Sequence, residues 1–298
     1  MKRVLQLFLF SIATTTYIFA NINAIVSILP QKSFVESIGG DKVNVSLMVQ
    51  PGNSPHTYEP KPSQMKDIAK ADIYFTIGVE FEKVWLQKFR DLNTGMVVSD
   101  LSQGIKKREM KAHHHEDKHE EGHEAHHDHE EEHDETPHSL DPHIWTSPHN
   151  VSLIASTIYQ ALSKLDPENA SYYRENLEQF RAKIEETDKK IGEILSASPE
   201  GTPFMVFHPA WGYFAEAYGL EQLPVEIEGK EPKPRELIHL IKEAKKHQVK
   251  AIFTQPEFSD ATARLISKEL GIKVIKASPL APDWSQNLIN LAYAIAGK

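Results

Sequence analysis

Short apolar runs alternate with helically spaced apolar residues along the first hundred positions. Ala24–Leu29 is such a run, and Gln31–Ile38 has a helical spacing that ends at Gly39-Gly40, a helix stop signal. Later strands are predicted at Val43–Val49, Asp72–Ile77 and Gly95–Ser99, and later helices at Pro62–Ala69 and Glu82–Phe89. The pattern therefore predicts one unit of alternating strands and helices.

Two long helical stripes follow. Apolar residues recur at helical spacing from Val151 to Leu165, and again from Tyr173 to Leu195. Between them, Asp166-Pro167 places an N-cap residue before a proline, so the second helix is predicted over Pro167–Ala197. It would be roughly 45 Å long at about 1.5 Å per residue. We interpret it as a rigid strut that joins two lobes.

The alternation of strands and helices then resumes and continues to the last residues. Strands are predicted at Phe204–Phe207, Gln222–Ile227, Ala251–Thr254 and Lys273–Lys276, and helices at Gly212–Tyr218, Pro234–His247, Ser259–Leu270 and Asn287–Ala296. Alternating strands and helices favour parallel sheets. We expect an α/β protein with an N-terminal lobe over residues 21–165, a linking helix over 166–197 and a C-terminal lobe over 198–298.

The N-terminus has the pattern of a secretory signal peptide. Lys2 and Arg3 precede an apolar run at Val4–Ala13, and a polar stretch then ends in Ile18-Phe19-Ala20, with cleavage expected after Ala20 or, as the alternative, after Ala24. The run is shorter than the roughly 20 residues that span a bilayer, which disfavours a membrane anchor. We expect residues 1–20 to be removed and the mature protein to be periplasmic.

The segment Lys111–His138 holds ten of the sixteen histidines and eleven acidic residues against two lysines. Its net charge of −9 equals that of the whole chain, so the remaining sequence is neutral and has no broad basic field for nucleic acid. Because almost nothing in the segment is apolar, we expect a mobile loop that binds metal weakly and is accessory to the main site. Its repeated H-E-x-x-H patterns lack the apolar face that a metalloprotease helix needs.

The chain has no cysteine, so a disulfide framework and thiolate zinc sites are excluded. Three isolated histidines are better metal-ligand candidates. His56 lies in a turn-rich loop after a strand, His143 follows Asp141-Pro142, and His208 ends an apolar strand. Ligands of open α/β sheets bind beyond the carboxyl ends of strands, so a cleft between lobes would unite His56 with His208.

Three segments carry a family resemblance. They are Pro51–Pro60 (P-G-N-S-P-H-T-Y-E-P), Asp141–Trp145 (D-P-H-I-W) and Phe207–Phe214 (F-H-P-A-W-G-Y-F), and the likeness extends to Val225–Arg235. Together they resemble the periplasmic zinc-binding receptors (ZnuA type) of ABC importers, over essentially the whole mature chain. The resemblance implies two β/α lobes with one metal ion between them, held by His56, His143 and His208. It also implies an ABC transporter permease as partner; we expect a monomer.

Two points stay open. The resemblance implies a variable fourth ligand, for which Asp283 is the first choice and Glu59 or water the alternatives; Glu257 is expected to line the cleft only. Manganese-binding relatives typically have Glu at the third position, so His208 favours Zn²⁺, in agreement with the preference of imidazole for zinc-like metals. Another divalent-metal receptor, a zinc hydrolase with Glu59 as base, and an adhesion protein are the rival functions.

Overall fold

The computed structural model describes residues 21–110, 140–226 and 230–298. The predicted signal peptide and the histidine-rich segment Lys111–His138 lie outside these ranges. In chain order the strands are β1 (Ile22–Val26), β2 (Val43–Leu47), β3 (Ile73–Thr76), β4 (Val97–Asp100), β5 (Thr202–Val206), β6 (Leu220–Pro224), β7 (Ala251–Thr254) and β8 (Lys273–Lys276). The α-helices are α1 (Leu29–Gly39), α2 (Pro62–Ile68), α3 (Glu80–Leu92), α4 (Pro148–Leu165), α5 (Ala170–Leu195), α6 (Gly212–Ala217), α7 (Pro234–Lys246), α8 (Ala261–Leu270) and α9 (Trp284–Ala296).

The strands form two four-stranded sheets with the same internal order. The first is β2-β1-β3-β4 and the second is β6-β5-β7-β8, and every pairing between these strands is parallel. All four residues of β3 and of β7 are buried, as expected for strands covered by helices on both faces. The predicted α/β architecture with two lobes is confirmed.

Helix α5 links the lobes. Its buried residues recur every three or four positions: Tyr173, Leu177, Phe180, Ile184, Thr187, Ile191, Ile194 and Leu195. This stripe packs against α1 and α4 of the first lobe and α9 of the second. With 26 residues it is about 39 Å long, shorter than predicted because Pro167–Asn169 form a separate 3-10 turn.

The second lobe has two cores because its central strands are buried on both faces. Alternate residues of β5 face opposite sides: Phe204 and Val206 join the large core that runs through both lobes, whereas Met205 joins a smaller core with Leu240 of α7 and Ile266 of α8. The large core makes one packed body of the two sheets and α5.

Two tryptophans connect the lobes beside the strand ends. Trp145 Nε1 donates to the carbonyl of Pro279 at 2.8 Å, and Trp284 Nε1 donates to the carbonyl of Trp145 at 2.7 Å. Both rings are buried, and the Trp284 ring packs edge-on against Phe34 with centroids 5.7 Å apart. This interlobe contact fixes the segment that carries His143 against the second lobe. No helix among the described residues is both long and apolar enough to cross a membrane.

Candidate metal centre

His56 lies in the loop between β2 and α2, and that loop is held by buried polar contacts. Tyr58 Oη donates to Gln64 Oε1 at 2.7 Å, and Gln64 Nε2 donates to the carbonyl of Met48 at 2.6 Å. The backbone amide of Phe81 donates to the carbonyl of Pro55 at 3.3 Å. These bonds tie the loop to the end of β2 and to α3, so His56 has a fixed position although its side chain is 23% exposed.

Asp141 orients His143. Its Oδ1 accepts hydrogen bonds from the backbone amide of His143 at 2.9 Å and from His143 Nδ1 at 2.8 Å. Both side chains are buried. The arrangement is a local turn closed by an aspartate, the type of bond that Asp makes two residues along the chain. It explains why Asp stands two positions before this histidine.

His208 follows β5 and is held in the same way by Glu226, which follows β6. His208 Nδ1 lies 2.7 Å from Glu226 Oε1, and the backbone amide of Glu226 donates to the carbonyl of Phe207 at 3.1 Å. The imidazole stacks on Phe258, with ring centroids 5.0 Å apart. Because β5 and β6 are adjacent and parallel, the residues after them meet at one edge of the sheet.

The three imidazoles converge. His56 Nε2 lies 3.1 Å from His208 Nε2, and one nitrogen from each of His56, His143 and His208 falls within 4.8 Å of the others. A tetrahedral zinc ion with Zn–N bonds of about 2.0–2.1 Å separates its ligand atoms by roughly 3.3 Å, which is close to this spacing. Among the described residues this is the one group of three or more metal-ligating side chains.

Each imidazole has a carboxylate at Nδ1. His56 Nδ1 lies 2.9 Å from Glu80 Oε2, completing the set begun by Asp141 and Glu226. A carboxylate at Nδ1 fixes the proton there and leaves Nε2 as a lone-pair donor, the usual arrangement around protein-bound metals. The geometry therefore prepares three Nε2 atoms for one cation.

The electrostatic surroundings differ between two of the histidines. Burial opposes protonation of His56, but Glu80, with Glu226 and Asp141, outweighs it and raises the pKa of His56. Burial dominates at His208 and lowers its pKa despite the contact with Glu226. Burial disfavours the charged form of Glu80, yet its contact with His56 lowers the pKa of the carboxyl group. The three carboxylates face the Nδ1 atoms, so the Nε2 atoms are left to bind a cation.

The imidazoles line a small cavity of about 10 Å³ between the lobes, with room for about one water molecule. The other lining residues are Ser54, Pro55, Gln255, Glu257, Phe258, Pro279 and Leu280. Glu257 was expected to line the cleft, and it does; its carboxylate accepts a hydrogen bond from Ser278 Oγ at 3.2 Å. The size and the mixed lining suit an ion with its ligands.

The structure does not bring Asp283 to this group. The sequence pattern began the last helix at Asn287, whereas α9 begins at Trp284. Asp283 is therefore the N-cap of α9, and its Oδ1 accepts from the backbone amide of Gln286 at 3.1 Å. The alternative ligand, Glu59, is exposed and is absent from the described lining of the cavity.

Sequence reasoning missed the three orienting carboxylates. Asp141 and Glu226 stand inside the segments that carry the resemblance, and Glu80 follows Gly78-Val79 after β3. The available signal was an acidic residue close after a predicted strand or close before a candidate histidine. Assigning Glu80 and Glu226 to their histidines needed the packing of distant elements, which sequence does not show.

The chain is similar to known zinc-binding proteins over most of its length. The high-affinity zinc uptake system protein ZnuA of Bacillus subtilis is 31% identical over 256 residues, covering 85% of this chain and 76% of that protein. The zinc-binding protein AdcA of Streptococcus pyogenes is 28% identical over 266 residues, covering 87% of this chain. The chain spans about half the length of AdcA, since the match covers 50% of that protein.

Solved structures of ZnuA are also similar to this chain. Two crystal structures of ZnuA, one of a deletion mutant with zinc bound, are each 40% identical to this chain and cover 93% of it. Their TM-scores are 0.81 and 0.80, with coverage of 98% and 97% of those chains. The family pattern for the periplasmic component A of the zinc-uptake complex matches residues 25–295. This chain therefore belongs to the ZnuA family of periplasmic zinc-uptake components.

Proposed function

We propose that the protein is a periplasmic receptor that captures Zn²⁺ through His56, His143 and His208 and delivers it to an ABC importer. One observation carries the proposal: one nitrogen of each imidazole converges with the other two, while each Nδ1 lies within 2.9 Å of its own carboxylate. Structural and transport sites for zinc need neutral imidazoles held at fixed positions. The site binds a cation with imidazoles that are already oriented, as capture from dilute solution requires.

Zinc rather than manganese is the ion that this ligand set favours. Imidazole nitrogen suits zinc, whereas manganese prefers carboxylate and water oxygen. The carboxylates near the site face Nδ1 atoms and so act on the ligands, leaving nitrogen as the donor to the ion. The ZnuA and AdcA relatives are named for zinc, which supports the same choice.

The protein supplies three ligands and leaves a fourth position for an exogenous one. Asp283 would have to leave the backbone amide of Gln286 to reach the ion, which would uncap α9. Three protein ligands with an exchangeable fourth position also describe a catalytic zinc site. The proposed general base for a hydrolase, Glu59, is exposed and does not line the described cavity, so a receptor explains the arrangement better.

Release to the permease uses movement of the loop that carries His56. Of the three histidines it is the most exposed, and it belongs to the first lobe, whereas His208 belongs to the second. The common core, α5 and the tryptophan contacts oppose a large rotation of the lobes. A local shift of the loop breaks one ligand bond at much smaller cost than opening that core.

The histidine-rich segment Lys111–His138 serves as an accessory that concentrates zinc. The described residues on either side of it pair with each other: Glu109 and Leu140 form an antiparallel bridge, and the Asp141 amide donates to the Arg108 carbonyl at 2.9 Å. Asp141 in turn holds His143. The described residues on either side of the segment therefore lie beside a proposed ligand of the central site.

Zinc competition against a chelator of known affinity tests the proposal. The mature protein should show one tight site, and His56→Ala, His143→Ala or His208→Ala should each remove it. The control is His149→Ala, because His149 is exposed and outside the group. A variant without residues 111–138 should keep the tight site and lose weaker ones. Tight binding that survives loss of two of the three histidines contradicts the proposal.

A further inference from the structure

Gln255, directly after β7, is a buried amide without a partner. Its exposed fraction is 4%, and neither Nε2 nor Oε1 has a hydrogen-bond partner among the described residues. Leaving a buried donor or acceptor unpaired costs about 1–3 kcal/mol, and native proteins rarely do so. An unpaired amide of this kind indicates a partner other than the described residues, such as a bound ligand or water.

Gln255 lines the same cavity as the three histidines. The apolar part of that lining consists of Pro55, Phe258, Pro279 and Leu280. Two further polar residues are already engaged: Ser54 Oγ accepts from the His56 backbone amide at 3.3 Å, and Glu257 accepts from Ser278. The Gln255 amide therefore has free hydrogen-bonding capacity next to the three ligands.

We propose that Gln255 binds the exogenous fourth ligand of the zinc ion, a water molecule or a small anion. This proposal rests on the proposed function. Three imidazole nitrogens occupy three of the four tetrahedral positions. A bound water directs its protons away from the ion, where Oε1 of the amide accepts one. A bound anion instead accepts from Nε2. One amide serves both ligands because it carries a donor and an acceptor.

In this arrangement the fourth ligand of the zinc ion can exchange, because a neutral residue holds it. A carboxylate at this place would bind the ion directly and close the fourth position. The amide holds only the exogenous ligand, so an incoming ligand can take the fourth position without displacing any of the three histidines. Gln255 is in this sense a positioning residue that acts through the fourth ligand.

Azide binding to the cobalt-substituted mature protein tests this proposal. Co²⁺ with three nitrogens and an exchangeable ligand has a visible spectrum that changes when azide binds, and the protein is loaded with one equivalent. Gln255→Leu removes both polar atoms and keeps much of the side-chain volume, and Gln255→Ala removes both polar atoms with a smaller side chain. Thr254→Val is the matched control, since Thr254 Oγ1 is also buried and unpaired among the described residues but does not line the cavity.

We expect both Gln255 variants to bind azide at least about tenfold more weakly, the value of one hydrogen bond to a charged group. Thr254→Val should match the parent protein. Equal azide affinity in parent and Gln255 variants would overturn the proposal, as would a parent spectrum that azide leaves unchanged. Failure of the parent protein to bind Co²⁺ or Zn²⁺ at the three histidines would overturn the proposed function itself. If Gln255→Leu does not fold, Gln255→Ala alone decides.

Discussion

His56 Nε2 and His208 Nε2 lie 3.1 Å apart although 152 residues separate them in the chain. Each follows a strand of a different sheet, and each has a carboxylate from another element at Nδ1. Two neutral imidazoles at this distance share at most one proton, whereas a cation between them satisfies both lone pairs. The contact between the lobes is therefore most stable when an ion completes it.

The first prediction concerns Glu226. Glu226→Gln keeps an acceptor for His208 Nδ1 but removes the negative charge that strengthens the imidazole as a ligand. We expect zinc affinity to fall about 10–100-fold, the usual effect of losing such an orienting partner. Chelator competition measures it, and Glu221→Gln, an exposed acid on β6, should change nothing. An unchanged affinity in Glu226→Gln would show that this carboxylate does not act on the site.

The second prediction separates capping from ligation at Asp283. Asp283→Ala should lower the free energy of unfolding by about 1 kcal/mol, because the first turn of α9 loses its cap. Asp283→Asn keeps an acceptor and should lose less. Both variants should retain the zinc affinity of the parent protein. Loss of tight binding in both would restore Asp283 as the fourth ligand that the sequence suggested.

The third prediction is the pH dependence of zinc binding. Protons compete with zinc for the imidazoles, and the pKa of His56 lies above its ordinary value of 6.5. Zinc affinity should therefore begin to fall above pH 6.5 as the pH is lowered, with His56 protonating before His208. Glu80→Gln removes the contact that raises the pKa, so the fall should shift to lower pH.

Zinc affinities measured by chelator competition from pH 8 to pH 5 test this dependence. Glu59→Gln is the control, since Glu59 is an exposed acid close to His56 in sequence. A flat profile, or the same profile in Glu80→Gln as in the parent protein, would contradict the role of Glu80.

The fourth prediction concerns Gly212 at the start of α6. A Cβ atom there would lie 2.6 Å from Arg108 Nη1 and 2.8 Å from Asp141 Oδ2. Gly212→Ala should therefore displace Asp141, lower the free energy of unfolding by about 1–3 kcal/mol and weaken zinc binding through His143. Gly192→Ala is the matched control, because nothing lies within 4 Å of its Cβ position on α5. That change should stabilise by about 0.5–1 kcal/mol. Urea unfolding and zinc titration test both variants.

The fifth prediction concerns Glu82, a buried acid that accepts from the backbone amides of Ile77 and Gly78 and from Ser27 Oγ. Burial outweighs these bonds and raises the pKa of Glu82 from 4.5 to about 7. The folded state therefore holds the proton at pH values where the unfolded chain has lost it. The group's contribution to the free energy of unfolding is greatest below pH 4.5. It declines as the pH rises to about 7, by about 3 kcal/mol in total.

Urea unfolding of the metal-free protein across this pH range measures the effect. The side chain in Glu82→Gln cannot titrate. The parent protein should therefore lose stability relative to this variant as the pH rises from 4.5 to about 7. A difference that stays constant from pH 5 to pH 8 would show that Glu82 titrates in the ordinary range.

The sequence alone determined the order of elements, the parallel character of the sheets and the linking helix. Strand periodicity and helical stripes are local properties, so β7 and β8 were predicted with the bounds they have. It also singled out His56, His143 and His208, because loops with proline and aromatic residues distinguish them from the histidine-rich segment. The prediction that these three histidines meet at one site came from the family resemblance and from the rule that ligands bind beyond the carboxyl ends of strands.

Only the tertiary structure decided what surrounds those histidines. Glu80 and Glu226 reach Nδ1 atoms because elements that are distant in sequence end close together, whereas Asp141 reaches His143 through a local turn; Gln255 joins them directly after β7. The structure also places Asp283, the expected fourth ligand, outside the group of three histidines. Helix α9 begins about one turn earlier than predicted, so the Asp283 carboxylate caps it. Its partner is the backbone amide of Gln286, only three residues along the chain. The competition between a local hydrogen bond and a distant ligand depends on three-dimensional distances, which residue spacing does not contain.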